Sequence, residues 1–273
     1  SWSIEVLRAY LDLPPESVRP IGRNRLGLGD IEIPVTMAPP SADASSGRIF
    51  GDYEMNIGGS GKRDGTASGP ERSFMMGIST LPRELNGKAY AETFDLAAAN
   101  GEMVLIQRTP PWADFVPGAD ISEAVAMTTA SEKDAVSSNH LRLFFAIDPT
   151  DGSTGRDRLA GLPASIAGKD FSDPDVRSAF LTYAQYVAIN YHPAYLALGV
   201  EMNLYSQKNK EDFDNFKSLY FEAFDRVKEA SPDTQVTVTF QYEDLQGKLP
   251  TEDKHFPAWQ LVKAFDPKMD VAA

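Results

Sequence analysis

From Ser73 to its last residue the sequence alternates apolar runs short enough to be strands with amphipathic stretches long enough to be helices. Such alternation leaves few solutions, because a strand followed by a helix returns to pair in parallel with a neighbouring strand. The expected strands are Phe74 to Thr80, Met103 to Gln107, Leu141 to Ile147, Tyr195 to Tyr205 and Gln235 to Glu243. Between them lie the expected helices: Gly87 to Asn100, closed by Gly101; Ile121 to Ser138; Asp173-Pro174 to Tyr191; and Lys210 to Ala230, ended by Ser231-Pro232. Asp173 suits an N-cap and Pro174 a first turn. Tyr90, Phe94, Leu96 and Ala97 are the candidates for the buried face of the first helix, and Phe213, Phe216, Leu219, Tyr220, Phe224 and Val227 for that of the last. A shorter helix near Phe256 to Phe265 leads into Met269 to Ala273, which reads as the start of a sixth strand.

No glycine fingerprint follows the first strand, which argues against a dinucleotide fold. The expected fold class is therefore α/β of the (β/α)8 barrel type. Eight units take about 250 residues. The stretch after Ser73 supplies about five and a half, so this chain alone does not close a barrel. Residues 1–72 read as an irregular extension rich in glycine and proline, containing a short helix at Ile4 to Leu13 and strand-like pieces at Ile31 to Thr36 and Arg48 to Tyr53. Gly58 to Lys62 fails as a phosphate loop, because Asn56 stands where the first glycine belongs and Arg63 where Ser or Thr belongs.

Composition narrows the chemistry. Asp and Glu exceed Lys and Arg by 39 to 26, a formal charge of −13 that argues against nucleic-acid or anionic-membrane binding and leaves neutral ligands such as sugars. The absence of cysteine excludes disulfides, thiolate metal sites and a Cys nucleophile. No apolar run is long enough to span a bilayer. Beginning at Ser1 rather than Met, the chain reads as a product from which any targeting segment has gone.

Side chains alternate along a strand. In Tyr195 to Tyr205, Leu196, Leu198, Val200 and Met202 share one face, and Ala197, Gly199, Glu201 and Asn203 the other. With the bulky face on the helices, Glu201 and Asn203 stand at the carboxyl mouth, where such barrels keep their chemistry. In Gln235 to Glu243 the same parity sends Val236, Val238, Phe240 and Tyr242 to the helices and Gln241 and Glu243 to the mouth. Phe144, Ala146 and Asp148 are in phase, Ser79 ends the first strand and Gln107 the second. A lone strand-end glutamate is most often solvated or paired with a lysine, but polar residues ending five successive strands favour a site. Two carboxylates there are what glycoside hydrolysis needs. Glu201 and Glu243 are the catalytic candidates; Asn203, Gln241, Asp148 and Gln107 are candidates for positioning substrate, and Trp112 and Tyr205 for stacking on it. Tyr242 also follows a strand, where its face could stack on a sugar ring, but its helix-facing parity favours the core. Asp148, Asp151 and Asp157 lack the EF-hand spacing and read as a turn, and the three histidines have no metal-ligand spacing.

Phe74 to Thr80, Pro110-Pro111-Trp112, Gly199 to Asn203 and Thr239 to Glu243 together resemble the clan of (β/α)8 glycoside hydrolases that includes the endo-β-1,4-galactanases. The likeness covers residues 73–273. It implies that Glu201, ending the fourth strand, is the acid/base, and that the nucleophile belongs to a seventh strand which this chain lacks. The chain departs from the clan's pattern in having Val200, not asparagine, before the glutamate. The expectation is a carbohydrate-active barrel needing no cofactor, placed outside the cell or in the periplasm. On that expectation the missing strands either lie on a second polypeptide or another copy of the chain, or have been lost. The rival expectation is a non-catalytic carbohydrate-binding or assembly subunit with a degenerate barrel.

Overall fold

The computed structural model describes residues 74–84, 86–248 and 257–272, together with three short strands between residues 18 and 34. The chain divides into two compact units, residues 1–70 with 83–85 and residues 71–82 with 86–273. In the first, β1 (Val18–Gly22), β2 (Arg25–Leu28) and β3 (Ile31–Pro34) pair antiparallel in that order. β3 takes most of the expected Ile31 to Thr36 run. β1 and β2 were hidden in the sequence by Pro20, Gly22 and Gly27, residues that lower any strand reading. The helix expected at Ile4 to Leu13, the strand at Arg48 to Tyr53 and the Gly58 to Lys62 turn lie outside the described residues.

The second unit holds a parallel sheet whose strands follow sequence order: β4 (Gly77–Ser79), β5 (Met103–Arg108), β6 (Arg142–Ile147), β7 (Tyr195–Ala197) and β8 (Gln235–Thr237). Its crossovers carry α1 (Gly87–Asn100), α2 (Glu123–Ser138), α3 (Pro174–Tyr191) and, between β7 and β8, α4 (Met202–Lys208) followed by α5 (Lys210–Ala230). Short helical turns α6 (Tyr242–Leu245) and α7 (Gln260–Lys263) complete it. A doubly wound sheet reverses its strand order at a switch point. This one never does, so its crossovers lie on one side, as in the wall of a (β/α) barrel.

The register divides the two faces. Ile106, Phe145, Leu196 and Val236 stand in one row, and Gln107, Ala146, Ala197 and Thr237 in the next. The first row, with Val104, Leu143 and Ile147, is buried in the main core beneath the helices. On the opposite face Ala146, Ala197 and Val200 form a smaller apolar cluster against half-buried Leu105 and Phe144.

Local chemistry fixes the helix ends. Asn86 accepts a hydrogen bond from the Ala89 N–H at 2.9 Å to open α1, and Asp173 accepts from Asp175 and Val176 to open α3. Gly101 closes α1 with an extended backbone. A Cβ there would fall 2.5 Å from the Met76 carbonyl oxygen, so close approach, not conformation, requires the glycine. Leu96 departs from expectation. It is exposed, because Phe94, Ala97 and half-buried Tyr90 already supply the face that packs inward. The Met269 to Ala273 strand does not form either. Instead the Asp270 N–H donates to the Val236 carbonyl at 2.9 Å, the Asp270 carboxylate accepts the Val236 N–H, and Thr237 Oγ1 donates to Val271. A side chain thus takes over a ladder position, and the segment lies beside β8 without becoming a strand.

One polar group sits deep among the helices. The Glu132 carboxylate, 2% exposed, accepts hydrogen bonds from the Tyr90 and Tyr191 hydroxyls at 2.6 Å and from Arg108. Burial first, and then the Glu132 charge, push Tyr90 up to about 12 and raise Tyr191; burial also raises Tyr183. A folded pKa above the unfolded value of about 10 gives stability that is complete below that pH and is lost as pH rises through it. The unfolding midpoint should therefore hold between about pH 7 and 9 and fall above about pH 10, with tyrosine ionisation by ultraviolet absorbance coupled to loss of helix. Free ionisation of every tyrosine near pH 10 with the helices intact would contradict this packing.

Candidate active site

The wall of the barrel sets where the fourth strand must stop. Beyond the β7–β8 ladder the two chains stay joined, Leu198 N–H to Thr237 O at 2.9 Å, Thr239 N–H to Gly199 O at 3.0 Å, and Met202 N–H to Thr239 O at 3.1 Å. A Cβ on Gly199 would lie 2.7 Å from both Met202 Cγ and Phe216 Cζ, so only glycine lets this stretch press against α5. The chain then leaves strand geometry. Val200 joins the inner cluster instead of the helix-facing row, and Glu201 adopts the left-handed region at φ 49°, ψ 45° before α4 begins. The expected strand through Tyr205 is thus an extended end followed by a helix.

For an L residue that backbone costs roughly 1–2 kcal/mol, and two contacts hold Glu201 there. Its N–H donates to Thr239 Oγ1 at 3.0 Å, and its Oε2 accepts from Arg156 Nε at 2.8 Å. Arg156 is itself left-handed at φ 65°, following Gly155 at φ 70°. Its side chain is 7% exposed, and Nη1 donates to Asp148 Oδ1 at 2.6 Å and Thr150 Oγ1 at 2.9 Å. The other oxygen of Asp148 accepts from Gln107 Nε2 at 2.9 Å. Burial alone would lower the Arg156 pKa, but the hydrogen bonds and charges of Asp148 and then Glu201 raise it above its ordinary value. The network Gln107–Asp148–Arg156–Glu201 therefore ties together the ends of β5, β6 and β7. Glu201 is 38% exposed in its side chain, and its Oε1 accepts no hydrogen bond among the described residues.

The remaining candidates separate from this network. Asn203, fully buried on α4, donates to the Gln241 carbonyl at 3.0 Å and the Asp244 carboxylate at 2.6 Å, and accepts from the Gln241 N–H at 2.8 Å. Helix geometry turned it off the face it was expected to share with Glu201, and its amide is spent on structure. Gln241 caps α6 by accepting from the Asp244 N–H at 2.5 Å. Its Nε2 donates to Glu243 Oε2 at 2.7 Å, which ties Glu243 to the first turn of α6 and not to Arg156. Trp112 and Tyr205 are 1% and 2% exposed, the former donating to the Ala160 carbonyl and the latter to Asp212, so neither offers a face to a sugar ring. Tyr242 moves the other way: assigned to the core by strand parity, it is 57% exposed, because β8 ends at Thr237 and the residue opens a helical turn. Asp151 caps the turn at Gly152–Thr154 through Ser153 and pairs with Arg158, and Asp157 accepts from Thr154.

Arg156 is the residue that sequence reasoning missed. Nothing in its composition separates it from Arg158, which is 62% exposed two positions on. The available signal was the glycine before it, which frees the loop to turn inward.

No protein-family model matches the sequence, and no curated protein does. Solved structures with similar folds include an exo-β-1,4-mannosidase from Opitutaceae bacterium strain TAV5, 15% identical, covering 62% of this chain and 32% of that one at a TM-score of 0.49. Another is GH5_18 from Streptomyces cattleya in complex with GlcNAc, 19% identical, with 59% and 41% covered and a TM-score of 0.47. A third is an endo-1,4-β-mannanase from Eisenia fetida, 11% identical, with 68% and 59% covered and a TM-score of 0.45. The chain thus spans between 32% and 59% of the length of these three proteins.

Two substitutions test the construction of the site. Gly199→Ala should lower the stability measured by denaturant by about 1–3 kcal/mol, the usual range for overpacking a filled interior. Arg156→Met should cost about 2–4 kcal/mol, since it leaves Asp148 without its buried partner while solvent screens part of the loss at Glu201. An unchanged midpoint in either variant would refute the corresponding contact.

Proposed function

We propose that this chain is part of a glycoside hydrolase-like (β/α) barrel that hydrolyses O-glycosidic bonds of a polysaccharide, with Glu201 as general acid/base. The observation that carries the reading is Glu201 itself: a carboxylate in a strained backbone conformation at the mouth of the fourth strand, anchored through one oxygen and open through the other. Strain of this kind persists where surrounding contacts over-determine it, and it clusters at active sites. In the proposed reaction the proton carried on Oε1 passes to the glycosidic oxygen as its bond to the anomeric carbon breaks. A second carboxylate then attacks that carbon directly or takes a proton from the attacking water. Glu243 is bound into α6, so we assign that second group to a strand outside the five described here. The narrower likeness to endo-β-1,4-galactanases rests on the Gly199 to Asn203 and Thr239 to Glu243 motifs. An extracellular or periplasmic location goes with a polysaccharide substrate.

One observation favours a second reading. Both carboxylates of the network, Asp148 and Glu201, are held by a single guanidinium, an arrangement equally suited to a rigid sugar-binding surface in a non-catalytic subunit. Release of reducing ends from soluble polysaccharides separates the two. Glu201→Gln should lower turnover by about 10²–10⁴-fold, the range for loss of a general acid, with sugar binding retained. Turnover that survives the substitution would remove Glu201 from the mechanism; binding without turnover in the unmodified protein would favour the second reading.

A further inference from the structure

Two aromatic rings that the fold leaves in water stand together beside this mouth. Tyr242 opens α6 one residue after Gln241, and Trp259 immediately precedes α7. They are 57% and 45% exposed, with ring centroids 6.1 Å apart and planes at 74°. The backbone sets the pairing, because the Ala258 N–H donates to the Leu245 carbonyl at 2.9 Å and so fixes the segment bearing Trp259 to the end of α6. The same chain buries Phe213, Phe216, Tyr220 and Phe265 in one contiguous aromatic cluster. A large ring held in solvent forgoes that burial, so an adjacent exposed pair calls for an occupant.

The surroundings define what that occupant is. Gln241 Nε2 and Glu243 Oε2, bonded to one another, flank Tyr242 in sequence and lie at the surface. Gln241 is in turn bonded through its N–H and its carbonyl to Asn203, two residues after Glu201, which puts the aromatic pair next to the segment that carries the carboxylate. Glu243 beside the rings and a formal chain charge of −13 disfavour an anionic ligand. An aromatic face edged by an amide and a carboxylate suits a neutral pyranose: its C–H face stacks on the ring and its equatorial hydroxyls donate to the carboxylate and accept from the amide.

We propose that Tyr242 and Trp259, set edge to face, form a two-walled aromatic platform for a neutral pyranose unit, one ring stacking on the sugar and the other flanking it, with Gln241 and Glu243 as its hydroxyl-binding edge, holding the sugar chain next to the unit presented to Glu201. The ligand class rests on the carbohydrate reading above; the platform does not depend on that reading's catalytic step.

Isothermal titration of the whole chain with β-1,4-linked hexasaccharides of glucose, mannose and galactose tests it. At least one should bind, and Trp259→Ala and Tyr242→Ala should each weaken it by about tenfold, as for truncation of an aromatic anchor. Trp259→Phe should recover most of the affinity. Both rings are exposed, so unchanged melting temperatures should accompany the losses. Binding that ignores both aromatic substitutions, or no binding of any of the three sugars, would overturn the platform. Platform-dependent binding in a protein that releases no reducing ends would sustain the platform and defeat only the hydrolase reading.

Discussion

The mouth of this sheet depends on a buried positive charge. A guanidinium taken out of water loses several kcal/mol of solvation and stays charged, so it must be surrounded by acceptors. Arg156 finds them in Asp148, Thr150 and Glu201. Those residues follow different strands, and the need to satisfy one planar group brings the ends of β6 and β7 to one place. Gln107 extends the constraint to β5 through Asp148. The left-handed backbone of Glu201 is tolerable for the same reason, since relaxing it would pull a carboxylate away from a charge that has nowhere else to go.

The second constraint is steric. Gly199 has no side chain because Phe216 and Met202 occupy the space a Cβ would take, so β7 is pinned against α5 just before the chain turns into α4. Past that turn the β7–β8 ladder continues by other means. Asn203 meets both the N–H and the carbonyl of Gln241 with its amide, reproducing with a side chain the two bonds that an extended neighbour would make. The asparagine that parity assigned to substrate is therefore what keeps the end of β8 in register with the end of β7.

Much of this fold is legible in the residues, and the illegible part has a physical cause. Helices α1, α3 and α5 begin and end where the sequence places them, because Gly101, Asp173-Pro174 and Ser231-Pro232 are local signals that need no tertiary context. The strict strand–helix alternation and the helix-facing row of Ile106, Phe145, Leu196 and Val236 follow from pattern in the same way. Strand ends do not. Val236 to Tyr242 alternates without a fault, yet β8 stops at Thr237, since alternation records extended backbone and a ladder also needs a partner of equal length. Parity carried past that point put Tyr242 in the core and Asn203 beside Glu201. Trp112 and Tyr205 sit in the core because aromatics after a strand are as useful for closing a loop over helices as for meeting a ligand. For Arg156 the sequence offered only Gly155 before it, because a turn that brings a loop arginine inward is decided by carboxylates on other strands.

The charge balance of the network bears on the reaction proposed for it. Arg156 turns Nη1 toward Asp148 and Nε toward Glu201 Oε2. With the transferable proton on Glu201 the positive charge of Arg156 is balanced by Asp148, and the network reaches a net charge of −1 only as that proton leaves. Glycoside cleavage builds positive charge on the ring oxygen and anomeric carbon. The negative charge Glu201 acquires as it gives up its proton therefore develops in step with that positive charge, an attraction of roughly 3 kcal/mol for opposite unit charges about 5 Å apart at an effective dielectric of 20. Because Arg156 engages Glu201 through Oε2, Oε1 is left as the oxygen that can hold the transferable proton.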